Sequence, residues 1–248
     1  MTDYILLIVA AFGAGVLNTI AGGGTFLTFP ALVFTGIPPV VGNATSAVAV
    51  FPGYLAGAVG FGAELKAFDR RKMVRLTLVT LAGGLVGALL LVVSSNEAFA
   101  VVVPFLLLAA TLAFWFGDQI RDWAAQKSRA VTPFGTAGLF FVSIYGGYFN
   151  GGLGIVLLAL FSLWGMTNIH EMNGLKNGLS FALSAISVAA FAISGLVEWP
   201  QAVIMMVAAT LGGYAGAPVA RVLPKSAVRA IVIVVGLTMS AVFFAKLF

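Results

Sequence analysis

Long apolar runs separated by short polar stretches organise the whole chain. They cover about residues 4–35, 38–63, 72–93, 98–116, 133–165, 169–195, 201–222 and 229–246. Runs of this length predict membrane helices. Six have ordinary spanning length. The first and fifth extend over about 32 residues, which as one helix would reach ~48 Å, against a hydrocarbon core of about 30 Å. Both carry glycines near the middle: Gly22, Gly23 and Gly24 in one, Gly151, Gly152 and Gly154 in the other. A glycine inside a helix costs roughly 1 kcal/mol relative to alanine. Each long run is therefore expected to be a re-entrant pair of half-helices that enters, breaks on glycine and returns to the same side.

Composition agrees with a membrane solvent. The 248 residues are 61% hydrophobic and 8% charged, and the mean hydropathy is +1.09. Soluble domains carry about 25% charged residues, so a water-soluble fold would lack polar surface. The first run follows Thr2 and Asp3 rather than a basic stretch and continues into a patterned segment, which argues against a cleaved leader. The net charge of +5 is no nucleic-acid signature, because the few basic residues sit in short loops between apolar runs. The chain has no cysteine and one histidine, His170. That leaves no thiol chemistry and little material for a metal centre, so neither metal nor cofactor is expected. Without paired intramembrane carboxylates, an intramembrane enzyme is a poor reading.

Charge also tests the re-entrant reading. If all eight runs crossed, Arg221, Lys225 and Arg229 would lie opposite Lys66, Arg70, Arg71, Lys72, Arg75, Arg121, Lys127 and Arg129. If the first and fifth turn back, all eleven share one face, as the positive-inside tendency requires. Both termini then lie outside the cytoplasm.

The two halves also superimpose. AGVLN at 14–18 matches GGYFN at 146–150, pairing Gly15 with Gly147 and Asn18 with Asn150. Gly24 then meets Gly154, Asn43 meets Asn173, Gly84 meets Gly213 and Gly87 meets Gly216. This reads as a duplication: a first repeat at 1–116, a cytoplasmic linker at 117–132 and a second repeat at 133–248. Three crossings plus one hairpin per half would make the copies inverted, a plan common among secondary transporters. The expected fold is an all-α polytopic membrane protein of two inverted repeats. Gly83, Gly84, Gly87, Gly212, Gly213 and Gly216 read as packing glycines between close helices.

The stretch GxxNxxAGGGxxLTxPxLxxxGxPP, followed by NATS, resembles the sulfite exporter TauE/SafE family, also called the 4-toluene sulfonate uptake permease family. GGYFNGGLGIVLLAL with NGLKNGL resembles that family's second repeat, although it has GGLG in place of a fuller glycine run and Leu160 where the first repeat has Pro30. The resemblance covers nearly the whole chain. It implies a multi-pass protein of the bacterial inner membrane that transports small anions, typically sulfite or organosulfonates.

The breaks supply chemistry for such a substrate. A second half-helix begins with free N–H groups and a positive dipole end, an anion site made of backbone. Glycine lets the anion approach Gly22, Gly23, Gly24, Gly151, Gly152 and Gly154 without obstruction, and Thr25 could donate a hydroxyl. Asn18 and Asn150 either donate to the anion or cap the broken ends. Facing them, Asn43 and Ser46, like Asn173 and Lys176, lie three apart on one helix face; these residues, with Asn177, either contact substrate or bond neighbouring helices. Lys176 either binds the substrate or snorkels to the surface. Apart from Glu171, at the mouth of its run, no carboxylate lies at membrane depth to relay protons, so potential-driven export is the economical expectation. An anion channel and an importer remain as alternatives. The expected partners are the small anion and the lipid bilayer, with a homodimer as a candidate assembly and no nucleic acid.

Overall fold

A computed structural model describes residues 2–20, 23–127, 132–222 and 225–245, and among these every regular element is helical. The first half contains α1 (Thr2–Ile20), α2 (Thr25–Phe34), α3 (Pro39–Gly60), α4 (Gly62–Ala67), α5 (Arg70–Val93), α6 (Asn96–Trp115) and α7 (Gly117–Gln126). The second contains α8 (Thr136–Tyr148), α9 (Leu153–Leu163), α10 (Ile169–Ile193), α11 (Trp199–Val222) and α12 (Lys225–Ala245). Local chemistry sets several of these boundaries. Asp69, Ser95 and Asn168 accept from the first-turn amides of α5, α6 and α10 at 2.8, 3.1 and 3.0 Å, and Pro39 opens α3, where a missing N–H costs nothing. Among the described residues, α5, α6 and α10 are long and apolar enough to cross a membrane.

Both over-long apolar runs are broken, between α1 and α2 and between α8 and α9. Gly23 and Gly152 adopt φ of 124° and 73° at these breaks, a region that a side chain disfavours. Gly22 lies outside the described residues. After each break the chain doubles back. A Cβ on Gly13 would lie 3.2 Å from Leu27 Cδ1, and one on Gly24 would lie 2.8 Å from the Ala14 carbonyl, so α2 runs antiparallel to α1. Likewise Gly138 faces Leu160 and Gly146 faces Leu153, so α9 runs antiparallel to α8. At 10 and 11 residues, α2 and α9 are about 15–17 Å long, half a bilayer core.

The packing comes in matched sets. α1 lies on α11 as α8 lies on α5, and α3 meets α11 as α10 meets α5. α3 pairs with α10, and α6 pairs with α12. Exchanging α1, α2, α3, α5 and α6 for α8, α9, α10, α11 and α12 returns the same pairings. α4 and α7 stand outside this scheme. The residues 117–126, expected as linker, form α7 and pack on α9.

Glycines bring the paired helices together. A Cβ on Gly87 would collide with the Ile144 carbonyl, and one on Gly147 with that of Gly84. In the other half a Cβ on Gly15 would strike the Ala209 carbonyl, and one on Gly212 that of Phe12. In lipid, where apolar burial contributes little to helix association, such close backbone approach is the main source of packing.

Lys72 and Arg75, in the first turns of α5, meet the start of the second half at Phe134, at what we call the basic end. Lys72 Nζ sits 3.9 Å from the Phe134 ring centroid, and Arg75 donates to the Phe134 carbonyl at 3.2 Å. The side chains of Arg221, Lys225 and Arg229 lie outside the described set. At the opposite end, the Val40 amide donates to Asn96 at 3.1 Å, and the Glu198 amide to Thr45 at 3.1 Å. An aromatic core closes that end: Phe29 stacks on Phe243 at 5.8 Å and meets Phe99 and Phe149 edge-on at 6.3 and 5.9 Å.

Two glycines give opposite expectations for stability. Gly212→Val forces α11 off α1 and should destabilise the protein by about 1–3 kcal/mol, lowering Tm in detergent. Gly60→Ala places its methyl in open space in the last turn of α3, so Tm should hold or rise slightly, since alanine gains about 0.5–1 kcal/mol of helix propensity.

Candidate functional site

Between the two breaks lies a cavity of about 1640 Å³ whose wall extends to Phe61 beyond α3, Arg121 of α7 and Ile169 at the start of α10. The hairpins contribute Asn18, Gly23, Asn150, Gly152 and Gly154 to its wall, and α10 contributes Asn173, Lys176 and Asn177. α3 supplies Pro52, Gly53, Tyr54 and Gly57, and α7 supplies Asp118 and Arg121. An apolar side made by Phe114, Trp115, Ile155, Leu158, Ile233 and Val234 completes it.

The breaks dictate the orientation of the two asparagines. Asn18 Oδ1 accepts from the amides of Gly23 and Gly24 at 3.1 and 2.7 Å. Only an oxygen can accept from two backbone N–H groups, so the side-chain NH₂ is left as the donor on the cavity side. At the second break, Tyr54 donates to Asn150 Oδ1 at 3.1 Å, which leaves the Asn150 NH₂ as a donor as well. The sequence left capping and ligand contact open for these residues. Asn18 caps the first break through its oxygen, whereas the Asn150 oxygen accepts from Tyr54 rather than from a backbone amide, and both residues line the cavity. The Gly23 and Gly24 amides are therefore already engaged. The corresponding amide of Gly154, in the first turn of α9, makes no hydrogen bond among the described residues.

Lys176 lies over that turn. A Cβ on Gly154 would sit 3.3 Å from Lys176 Cδ. The ammonium donates to Asn173 Oδ1 at 3.0 Å and makes no ion pair with a carboxylate among the described residues. Asp118, the described acid of the wall, is 3.4 Å from Arg121. Lys176, Arg121 and Asp118 leave the wall one charge positive. With the asparagine NH₂ groups and the α9 dipole, the polar side consists mostly of donors, which suits an oxyanion.

Several sequence-derived candidates sit elsewhere. Asn43 donates to the Tyr148 carbonyl at 2.9 Å, satisfying the exposed C-terminal end of α8. Ser46 and Thr28 share a 2.6 Å hydrogen bond. Thr25 and Gly24 are buried outside the cavity wall, and Gly151 gives its carbonyl to the Tyr145 hydroxyl. These residues are used in satisfying or packing the hairpins. Conversely, Tyr54, Arg121 and Asp118 were not singled out as site residues. Tyr54 follows Pro52 and Gly53 within an apolar run, a local irregularity that could have drawn notice. Nothing local marks α7 as part of a wall.

Broken helices that frame a polar chamber inside an apolar, helical chain are the plan of many membrane transporters. The sequence profile of the sulfite exporter TauE/SafE family matches residues 7–243, and the chain belongs to that family. It is similar to a probable membrane transporter protein of Haemophilus influenzae, 28% identical over 95% of this chain and 92% of the relative. It is also similar to the probable membrane transporter protein ORF9 of Sinorhizobium sp (29% identical; 94% and 89% covered) and to YfcA of Escherichia coli (26% identical; 95% and 87% covered). No solved structure matches it. A multi-pass position in the inner membrane is consistent with these relatives and with the apolar helices.

Asn18 gives a test of the capping geometry. Asn18→Ala leaves two amides without their acceptor, which should cost about 1–3 kcal/mol and lower Tm. Asn18→Asp keeps the acceptor and should hold Tm near that of the unsubstituted protein, while its added negative charge weakens anion affinity measured by titration.

Proposed function

We propose that the protein is a secondary transporter that moves small sulfur-containing anions, sulfite or organosulfonates, out across the inner membrane. The observation that carries this reading is Lys176, whose stem crosses the open first turn of α9 in a donor-rich cavity and whose ammonium meets no carboxylate among the described residues. Binding there offsets the cost of an unpaired ammonium at depth, about 2.5–3.5 kcal/mol on insertion scales. Substrate binding thus explains more of the geometry than snorkelling, because the ammonium is held by Asn173 within the wall.

In this reading the halves 1–116 and 133–248 are inverted repeats, and the α1–α2 and α8–α9 hairpins are re-entrant from opposite faces. The matched packing pairs and the antiparallel hairpins support it. The basic end is cytoplasmic by the positive-inside tendency, so the cavity faces inward. An inside-negative potential then drives anions outward with about 2.3 kcal/mol per charge per 100 mV. The aromatic core beneath the cavity favours a carrier over an open channel, since it leaves no continuous pore in this state.

Flux into proteoliposomes tests the proposal, with sulfite, sulfoacetate, taurine, thiosulfate and sulfate as the panel. One or more anions should be transported saturably. Lys176→Ala should cut that flux by about tenfold or more with insertion intact, and Lys176→Arg should retain part of it. Unchanged flux in the alanine variant would overturn the assignment.

A further inference from the structure

Three serines of α10 stand buried without partners. Ser180, Ser184 and Ser187 are 1%, 1% and 2% exposed, and none of their hydroxyls has a hydrogen-bond partner. Their spacing puts them on the same helix face as Asn173, Lys176 and Asn177. Ser180 reaches the cavity wall, whereas Ser184 and Ser187 continue the polar stripe beyond it, toward the sealed end. An unpaired hydroxyl in a dry interior is costly, so Ser184 and Ser187, beyond the cavity and without a partner among the described residues, imply one that arrives in another state.

The internal repeat says where that partner arrives. Asn43 and Asn173 set an offset of 130 residues between α3 and α10. At that offset Tyr54 and Gly57, which line the open cavity, correspond to Ser184 and Ser187. In the reverse direction, the cavity residues Leu158 and Lys176 correspond to Thr28 and Ser46. All four counterparts are buried. The image of the open cavity is thus a closed, partly polar region, shut by Phe29, Phe99, Phe149 and Phe243.

We propose that this region is a second, occluded vestibule on the opposite face, in which Ser184 and Ser187 donate to the permeating oxyanion once the aromatic seal parts. The proposal rests on the inverted-repeat transporter reading above. It also accounts for Asn43 and Ser46, which sit outside the open cavity because they belong to its closed counterpart. α6 and α12 make the movable wall: they pack chiefly on each other and touch the hairpins lightly, and Ser240 donates to the Pro104 carbonyl at 2.9 Å between them.

Because the chain has no cysteine, thiol labelling tests this directly. Ser180→Cys and Ser187→Cys, each close in size to the original, are exposed to a membrane-impermeant maleimide in right-side-out and inside-out vesicles. Labelled sites are read by mass spectrometry. Cys at 180 should react from the face bearing the basic loops, and Cys at 187 from the other. Bridging Phe29→Cys to Phe243→Cys with a short bifunctional thiol reagent should slow reaction at 187 by about tenfold or more while leaving reaction at 180 intact, which also shows that the protein is folded. Reaction of both positions from one face overturns the vestibule, as does protection of 187 from both faces while 180 reacts. Labelling needs no transported substrate, so a failed anion assay and a failed vestibule are told apart. The hydroxyls are tested by Ser184→Ala/Ser187→Ala, which should lower turnover about tenfold with anion affinity at the open cavity unchanged. Unchanged turnover overturns their contact with the substrate.

Discussion

A helix broken inside a membrane must find partners for the backbone groups it frees, and much of this structure answers that requirement. Water cannot reach those groups from lipid, so protein must satisfy them or a wet cavity must. At the first break Asn18 takes the amides of Gly23 and Gly24. At the second, Asn43 takes the Tyr148 carbonyl, Tyr145 takes that of Gly151, and Tyr54 holds Asn150. Three polar side chains, Asn18, Asn43 and Tyr145, are thus committed to the backbone before any substrate is considered, and Tyr54 and Asn150 are committed to each other.

That commitment shapes the chamber. Because the oxygens of Asn18 and Asn150 are engaged, their nitrogens remain as donors. Asn173 holds the Lys176 ammonium at the cavity wall, and the Lys176 stem packs over the first turn of α9. The polar side of the cavity becomes rich in donors as a consequence of how the breaks are capped. Close helix contacts made through glycine supply the rigidity, holding α1 against α11 and α5 against α8.

On the proposed inverted-repeat reading, both ends of the molecule are built from corresponding parts, one lined by the cavity and the other by packed aromatic rings. A packed core has discrete arrangements rather than a continuum of them. Two arrangements of α6 and α12 around the hairpins would therefore exchange which end is closed. The buried, unpartnered serines of α10 fit a structure observed in one of two such arrangements.

The sequence by itself determined the membrane solvent, the positions of both breaks and the family. The first two rest on local physics: apolar run length against bilayer thickness, and glycine against helix propensity. Tertiary structure decided how the polar residues divide their work. Asn43 and Asn173 occupy equivalent sequence positions, but one bonds the end of α8 and the other holds Lys176 in the cavity. The wall residues on α7 and Tyr54 could not be assigned from spacing, because their role depends on which helices lie opposite. Which end is open is likewise invisible in the chain, since nearly equivalent halves carry nearly equivalent patterns, and only the packing of Phe29, Phe99, Phe149 and Phe243 breaks that equivalence.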